Sequence, residues 1–223
     1  MSGRKHSRVL VTSGPTRAWL DRVRYLANAS TGRLGATIAE QLISRDIPVL
    51  LLAGEGAILP RVSRPELLEI RPVVTVGDLS HEIGKAASEG GIVAVVHAMA
   101  VLDYVPENPV AGKRKSDSDS WTVTLVKTPK IIGMLRDLFP DAFLVGFKLE
   151  SGMDEPSLGA SANRLLADNA LDLVVANDTS GIAGDCHEAI LVGPDRAILA
   201  RAGTKREIAE TLAGFISERM SEP

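Results

Sequence analysis

The chain has 223 residues, of which 45% are hydrophobic and 24% charged, a balance that gives a globular protein one substantial core. A formal net charge of −3 gives no reason to expect a nucleic-acid backbone or an anionic membrane as partner. Cys186 is the only cysteine, which excludes an internal disulfide and a cysteine-rich metal site and fits a reducing cytoplasm.

The first apolar run predicts a strand over 8–12, but its core, Val9 to Val11, is far too short for a secretory or membrane segment. The sequons at Asn28 and Asn177 therefore need another explanation. Strand-like RVLVTSG ends at Gly14 and helix-like RLGATIAEQLISR begins near Arg33. About eighteen residues thus lie where a dinucleotide fold spends only a few. Further strands are predicted over 48–53, 66–72, 92–98, 143–148 and 172–177, with helices near 32–45, 76–89, 129–138, 156–169 and 204–219. Thr128-Pro129 reads as an N-cap followed by a first-turn proline, and Thr204 with Glu207 as a capping box. Residues 104–127 form a polar flap that ends in an alternating strand, WTVTLVK. Residues 188–201 place a Gly-Pro-Asp turn between two apolar runs and predict a β-hairpin. Continuous apolar strands alternating with helices imply one α/β domain over 1–223. Its doubly wound, mostly parallel, Rossmann-like sheet would carry the flap and hairpin as appendages.

Ligands gather at strand C-termini in such a sheet. Gly14-Pro15-Thr16 ends the first strand, and Ser30-Thr31-Gly32 precedes the first helix. Free backbone N–H groups and hydroxyls would then meet at a helix N-terminus, where an anion is favoured; a capped, glycine-softened turn is the plainer alternative. Arg17, Arg22 and Arg24 lie beside that point. Asp103 follows the fourth central strand, where a carboxylate takes Mg²⁺ with a nucleotide or a ribose hydroxyl, or simply caps a turn. Lys113 and Lys115 sit on the flap, which would close over phosphates. Phe147, Asn177 and Asp178 end two further strands on the same face. His97 reads as a satisfied core histidine, and Cys186 and His187 point to opposite faces if extended, which argues against a thiol–imidazole pair.

No G-x-x-x-x-G-K-[ST] loop is present, and Tyr25 and Tyr104 are followed at the fourth position by Ala29 and Asn108, so no Tyr-x-x-x-Lys pair exists. An anion cradle, a flap lysine and a carboxylate suit nucleotidyl activation better than hydride transfer. VLVTSGPTRAWLDRVRYLANASTGRLG, AVLDY, GKRKS, LVGFKLE and VVANDTS, in this order, resemble the phosphopantothenoylcysteine synthetase family over nearly the whole chain.

The resemblance implies a phosphopantothenate–cysteine ligase. A nucleoside triphosphate with Mg²⁺ activates 4′-phosphopantothenate as an acyl-nucleotide, and the amine of cysteine then displaces the nucleotide. It implies Asn28 and Lys113 as catalytic groups, and Arg24 and Ala100 at the acyl substrate. Gly14, Thr16, Ser30, Thr31, Gly32, Asp103 and Phe147 would contact the nucleotide, with Asp103 also at the metal. The flap reads Lys113-Arg114-Lys115-Ser116 in place of the bacterial Lys-x-Lys-Lys, and GFKLE replaces GFAAET, so CTP and ATP both stand as substrates. With the first strand starting by Arg8 there is no room for the flavin-dependent half. No FMN is expected, and a separate decarboxylase would act downstream. A homodimer is expected from the family and from apolar flap and hairpin strands lying outside the main sheet. Another acyl-nucleotide-forming amide ligase, or a non-catalytic nucleotide-binding regulatory module, are the alternatives.

Overall fold

The computed structural model describes residues 7–184 and 186–221. The chain runs through β1 (Arg8–Ser13), β2 (Arg17–Trp19), β3 (Tyr25–Ala27), α1 (Arg33–Ile43), β4 (Val49–Gly54), β5 (Leu68–Val73), α2 (Val76–Glu89) and β6 (Ile92–His97). It continues through β7 (Tyr104–Pro106), β8 (Leu125–Lys127), α3 (Leu135–Leu138), β9 (Phe143–Glu150), α4 (Glu155–Asp168) and β10 (Leu173–Asp178). It ends with β11 (Ile182–Ala183), β12 (Cys186–Val192), β13 (Ile198–Thr204) and α5 (Lys205–Ser221).

Six parallel strands lie in the spatial order β5-β4-β1-β6-β9-β10, and β12, β11 and β13 extend the sheet antiparallel beyond β10. The order runs outward from β1 in both directions, which is the doubly wound arrangement, with its reversal between β1 and β6. The period-2 alternation of side chains explains the two cores. Leu10, Leu50, Leu52, Val95 and Leu144 face α2, α3 and α4. Val9, Val11, Leu51, Val96 and Val145 face α1 and α5. Gly35 lets α1 approach β1, since a Cβ there would fall 2.3 Å from Ser13 Oγ. No helix among the described residues is long and apolar enough to cross a membrane.

Several expectations need correction. Residues 129–138 do not form one helix. Thr128 caps nothing there: its hydroxyl donates to Leu102 O at 2.7 Å, and its N–H to Asp103 O at 2.9 Å. A 3₁₀ turn over Ile131–Met134 leads into the four-residue α3. Phe139, whose helical conformation is disfavoured by Pro140, ends it. Residues 188–201 do form a hairpin, but it is not outside the main sheet, because β12 pairs with β10 from Val174↔Val192 to Ala176↔Ile190. The flap strand is only Leu125–Lys127, paired with β7. Thr204 Oγ1 accepts Glu207 N–H at 3.1 Å, whereas the Glu207 carboxylate reaches Gly203 N–H at 2.6 Å, one residue beyond a closed box. A box does close at Thr75 and Asp78, heading α2.

Candidate functional site

The chain leaving β1 and the chain leaving β6 run side by side at the strand-order reversal. Pro15 bridges Ala100, Ala100 N–H donates to Gly14 O at 2.9 Å, and Thr16 N–H donates to Ala100 O at 3.2 Å. Thr16 Oγ1 accepts Leu102 N–H at 2.9 Å, and Thr16 is fully buried. Gly14 takes φ +83°, and a Cβ there would sit 2.6 Å from Ala57 Cβ. The GPT turn therefore does not offer the free N–H and hydroxyl of Thr16 that the sequence suggests. Two extended segments emerging from neighbouring parallel strands satisfy each other, so Gly14, Thr16 and Ala100 frame the crevice.

The long segment before α1 is a small antiparallel hairpin, β2 with β3, which periodicity missed because each strand has only three residues. At its tip the buried Asp21 carboxylate accepts the N–H groups of Val23 and Arg24, both at 2.9 Å, and that of Arg114 at 3.1 Å. It also takes the Arg24 guanidinium at 2.5 Å, which above all holds this carboxyl well below the usual carboxylate range. Arg24 Nη2 also donates to Arg114 O at 2.8 Å, and both guanidinium groups lie against Trp121, 4.9 and 5.0 Å from the ring centre. Val110 N–H donates to Leu20 O. The flap is thus docked on the hairpin tip. Arg24 anchors that contact and keeps only Nη1 for a ligand. Arg17 is held by Glu55 at 2.8 Å and packs on Tyr25, and Arg22 is exposed.

From β3 the chain returns over the crevice. Asn28 Nδ2 donates to Val101 O at 3.0 Å, leaving its second amide hydrogen available. Gly32 heads α1 at φ +75° with no side-chain cap, and Ser13 Oγ donates to its carbonyl. In the first turn Arg33 N–H donates to Thr31 Oγ1 at a long 3.4 Å, and no acidic side chain is present. Ser30, Thr31 and Gly32 thus stand at a helix N-terminus whose N–H groups and dipole favour an anion.

Beside this lies a cavity of about 210 Å³ whose walls include His97, Asp103, Lys130, Phe147, Lys148 and Leu165. Asp103 and Phe147 come together here as expected. Lys130, unforeseen from the sequence, pairs with Asp103 at 2.5 Å, and Lys148 pairs with Glu150 at 3.1 Å. Thr12 Oγ1 lies 2.9 Å from His97 Nδ1, so His97 is satisfied on that side as expected, yet its ring also lines the cavity. Asp178 does not line it. Its carboxylate accepts Met153 N–H and the N–H and hydroxyl of Ser180, and it borders a different cavity with Glu188 and Arg201. Asn177 is buried at the end of β10 and is not among the walls of the Phe147 cavity. Lys113 is exposed on the flap with no hydrogen-bond or ion-pair partner among the described residues. Cys186 and His187 occupy opposite faces of β12, one exposed and one buried. Among the described residues no group of three or more His, Cys, Asp or Glu side chains could hold a metal ion. Asp103 is the one carboxylate lining the Phe147 cavity, a single oxygen donor rather than a metal-binding cluster.

Strand order, paired crossover segments and a helix-headed crevice at the reversal define a doubly wound α/β protein of the Rossmann-like class. Within that class, the chain belongs to the family described as DNA/pantothenate metabolism flavoprotein C-terminal domain, whose model matches residues 4–220. It is 37% identical over 206 residues to the Coenzyme A biosynthesis bifunctional protein CoaBC of Thermococcus kodakarensis, covering 92% of this chain and 49% of that protein. The chain spans about half the length of the curated relatives it matches. The crystal structure of the DNA/pantothenate metabolism flavoprotein from Streptococcus pneumoniae matches with a TM-score of 0.85 and 32% identity, covering 95% of this chain and 99% of that one. A Cab2 mutant in complex with phosphopantothenate-cysteine shares the fold, with a TM-score of 0.79 and 20% identity, covering 97% of this chain and 88% of that one.

Proposed function

We propose that the chain is a phosphopantothenate–cysteine ligase. The carboxylate of 4′-phosphopantothenate attacks the α-phosphorus of CTP or ATP and expels pyrophosphate. The amine of cysteine then attacks the acyl-nucleotide carbonyl and expels the nucleoside monophosphate, leaving an amide. The observation that carries this reading is the contiguity of three features at the strand-order reversal. The Gly32-headed helix packs on the GPT turn, Asn28 is pinned to Val101, and Val101 itself lines the Phe147 cavity.

Each group then has a role suited to its setting. The N-terminus of α1, with Ser30, Thr31 and Gly32, takes phosphate oxygens. The Phe147 cavity takes the base, and Asp103 takes a ribose hydroxyl or a magnesium ion that arrives with the triphosphate. Magnesium supplies charge neutralisation on the phosphates when bound. Lys113, solvated on the flap, neutralises charge as pyrophosphate departs. The second amide hydrogen of Asn28 serves the tetrahedral oxyanion of the cysteine step. Arg24 Nη1 and the backbone at Ala100 border the acyl substrate. The family membership and the likeness to the coenzyme A biosynthesis protein of Thermococcus kodakarensis support this assignment. A cytoplasmic homodimer completes the proposal.

The test is one purified-protein assay. With each of four nucleoside triphosphates, pyrophosphate release should require phosphopantothenate, and nucleoside monophosphate release should require cysteine as well. Nucleotide binding with no phosphopantothenate-dependent pyrophosphate would leave a non-catalytic module. Turnover with a different acid would leave another amide ligase on the same scaffold.

A further inference from the structure

The histidine that ends β6 looks structural on one side only. Its Nδ1 lies 2.9 Å from Thr12 Oγ1, and Thr12 Oγ1 also accepts Met99 N–H at 3.2 Å. A hydroxyl has one hydrogen to give. With Met99 donating to the oxygen, the Thr12 hydroxyl is free to give that hydrogen to Nδ1. No other acceptor for that hydrogen is present among the described residues, so the tautomer that leaves no buried hydroxyl hydrogen unpaired has Nδ1 as the acceptor of a neutral ring and the ring hydrogen on Nε2. Nε2 has no partner within the described protein, and the residue, only 7% exposed, lines the Phe147 cavity. Burial pushes the imidazole down to about 4, so the ring stays neutral at physiological pH.

We infer that His97 is a specificity-determining residue of the nucleotide site, donating its Nε2 hydrogen to an acceptor on the edge of the base that occupies the Phe147 cavity. The remaining walls favour a base as occupant. Phe147 supplies an aromatic face, Ile131, Ile132 and Leu165 supply apolar ones, and about 210 Å³ has room for one heterocycle but not for a triphosphate as well. The two cations at the rim are already matched, Lys130 by Asp103 and Lys148 by Glu150. Among the polar side chains lining the cavity, His97 is the neutral and buried one, whereas Asp103 and Lys130 are more than half exposed and complete their hydrogen bonding with solvent. The inference rests on the proposed reading of this cavity as a nucleotide site.

The test uses the whole chain with magnesium and ATP or CTP. In ¹⁵N-histidine spectra of the free protein, His97 should show the Nε2–H tautomer, and its Nε2 resonance should move on saturation with nucleotide. A glutamine amide reproduces the Nε2 position of histidine, whereas an asparagine amide reproduces Nδ1. His97→Gln should therefore hold nucleotide Kd within about threefold, and His97→Asn should weaken it by tenfold or more. A purely structural role through Thr12 predicts the opposite ranking, and that result would overturn the inference. So would an unmoved Nε2 resonance at saturating nucleotide, which needs no variant to fold. If titration calorimetry shows that the wild-type chain binds no nucleotide, the ligase reading falls together with this inference. Binding with a silent His97 removes this inference alone.

Discussion

At the scale of single residues, exposure separates groups free to meet a ligand from groups that hold the frame. Lys113 is exposed and makes no hydrogen bond or ion pair among the described residues, so Lys113→Ala should leave the melting temperature unchanged. If it neutralises the departing pyrophosphate, the same change should remove about 2–4 kcal/mol of transition-state stabilisation. Single-turnover pyrophosphate release, compared with a thermal melt, checks both halves of that statement, and unchanged release would remove Lys113 from the reaction. If Asn28 serves the cysteine step, its substitution separates the two half-reactions. Asn28→Asp replaces the donor with an acceptor, so one equivalent of pyrophosphate per site should still appear in a quench-flow experiment while the acyl-nucleotide accumulates. Equal loss of both steps would assign Asn28 to holding the Val101 segment instead. Much of this site was legible because short polar motifs keep their spacing wherever they fold. Thr16 and Arg24 were not legible in their framing roles, because those roles depend on the 98–102 and 110–114 segments that lie against them only in three dimensions. His97 was half legible: a histidine ending an apolar strand signals burial, but the sequence carries no sign of which ring nitrogen faces a cavity.

At the scale of elements, the meeting of α1 with β1 sets the crevice, and glycine is what permits it. A Cβ at Gly35 would meet Ser13 Oγ at 2.3 Å and Ser13 Cβ at 2.5 Å, so the helix must retreat. Gly35→Ala should cost about 1–3 kcal/mol in urea unfolding, the usual scale for overpacking. Gly84, inside α2, meets nothing within 4 Å. Gly84→Ala should instead stabilise by about 0.5–1 kcal/mol through helix propensity. If both changes proved neutral, the close approach would not be what fixes α1. The flap is tied down at one carboxylate. The folded pKa of Asp21 lies below its ordinary value, so the anchoring it contributes is complete above the unfolded pKa and fades as pH falls through the folded one. Docking of Trp121, followed by fluorescence in a Trp19→Phe background, should therefore persist at pH 4 and be lost in Asp21→Asn at neutral pH. Continuous apolar runs made the six parallel strands readable in advance. The two three-residue hairpins, β2–β3 and β7–β8, are too short to show a period, and their positions come from tertiary hydrogen bonds rather than from local pattern.

At the scale of the whole molecule, a groove of about 1130 Å³ stays open between β2, α2 and β7, with Trp19, Val76, Val105 and Pro106 among its walls. This groove, rather than the β12–β13 hairpin that the main sheet absorbs, is where the proposed homodimer has apolar surface to cover, and sedimentation should show a dimer at assay concentration. A fully active monomer would contradict the proposal. The same whole-molecule view gives an acid-stability prediction. His97 and His187 are buried on different strands and are both lowered from 6.5 to about 4, in each case chiefly by burial, with Lys205 adding to the effect on His187. Between those values the unfolded chain binds protons that the folded chain refuses, so stability rises with pH across that window and is lost as pH falls from 6.5 towards 4. One pKa unit corresponds to about 1.4 kcal/mol, so the fully buried His97 sets an upper bound of roughly 3 kcal/mol, and the less completely enclosed His187 contributes less. Urea unfolding at pH 7, 5.5 and 4.5 should show this decline. It should be shallower in His97→Gln, which has no proton to gain, even if that variant is less stable at pH 7. An identical slope in the variant would mean that the imidazole is reached by water in the folded state, and the fixed neutral donor at the floor of the crevice would go with it.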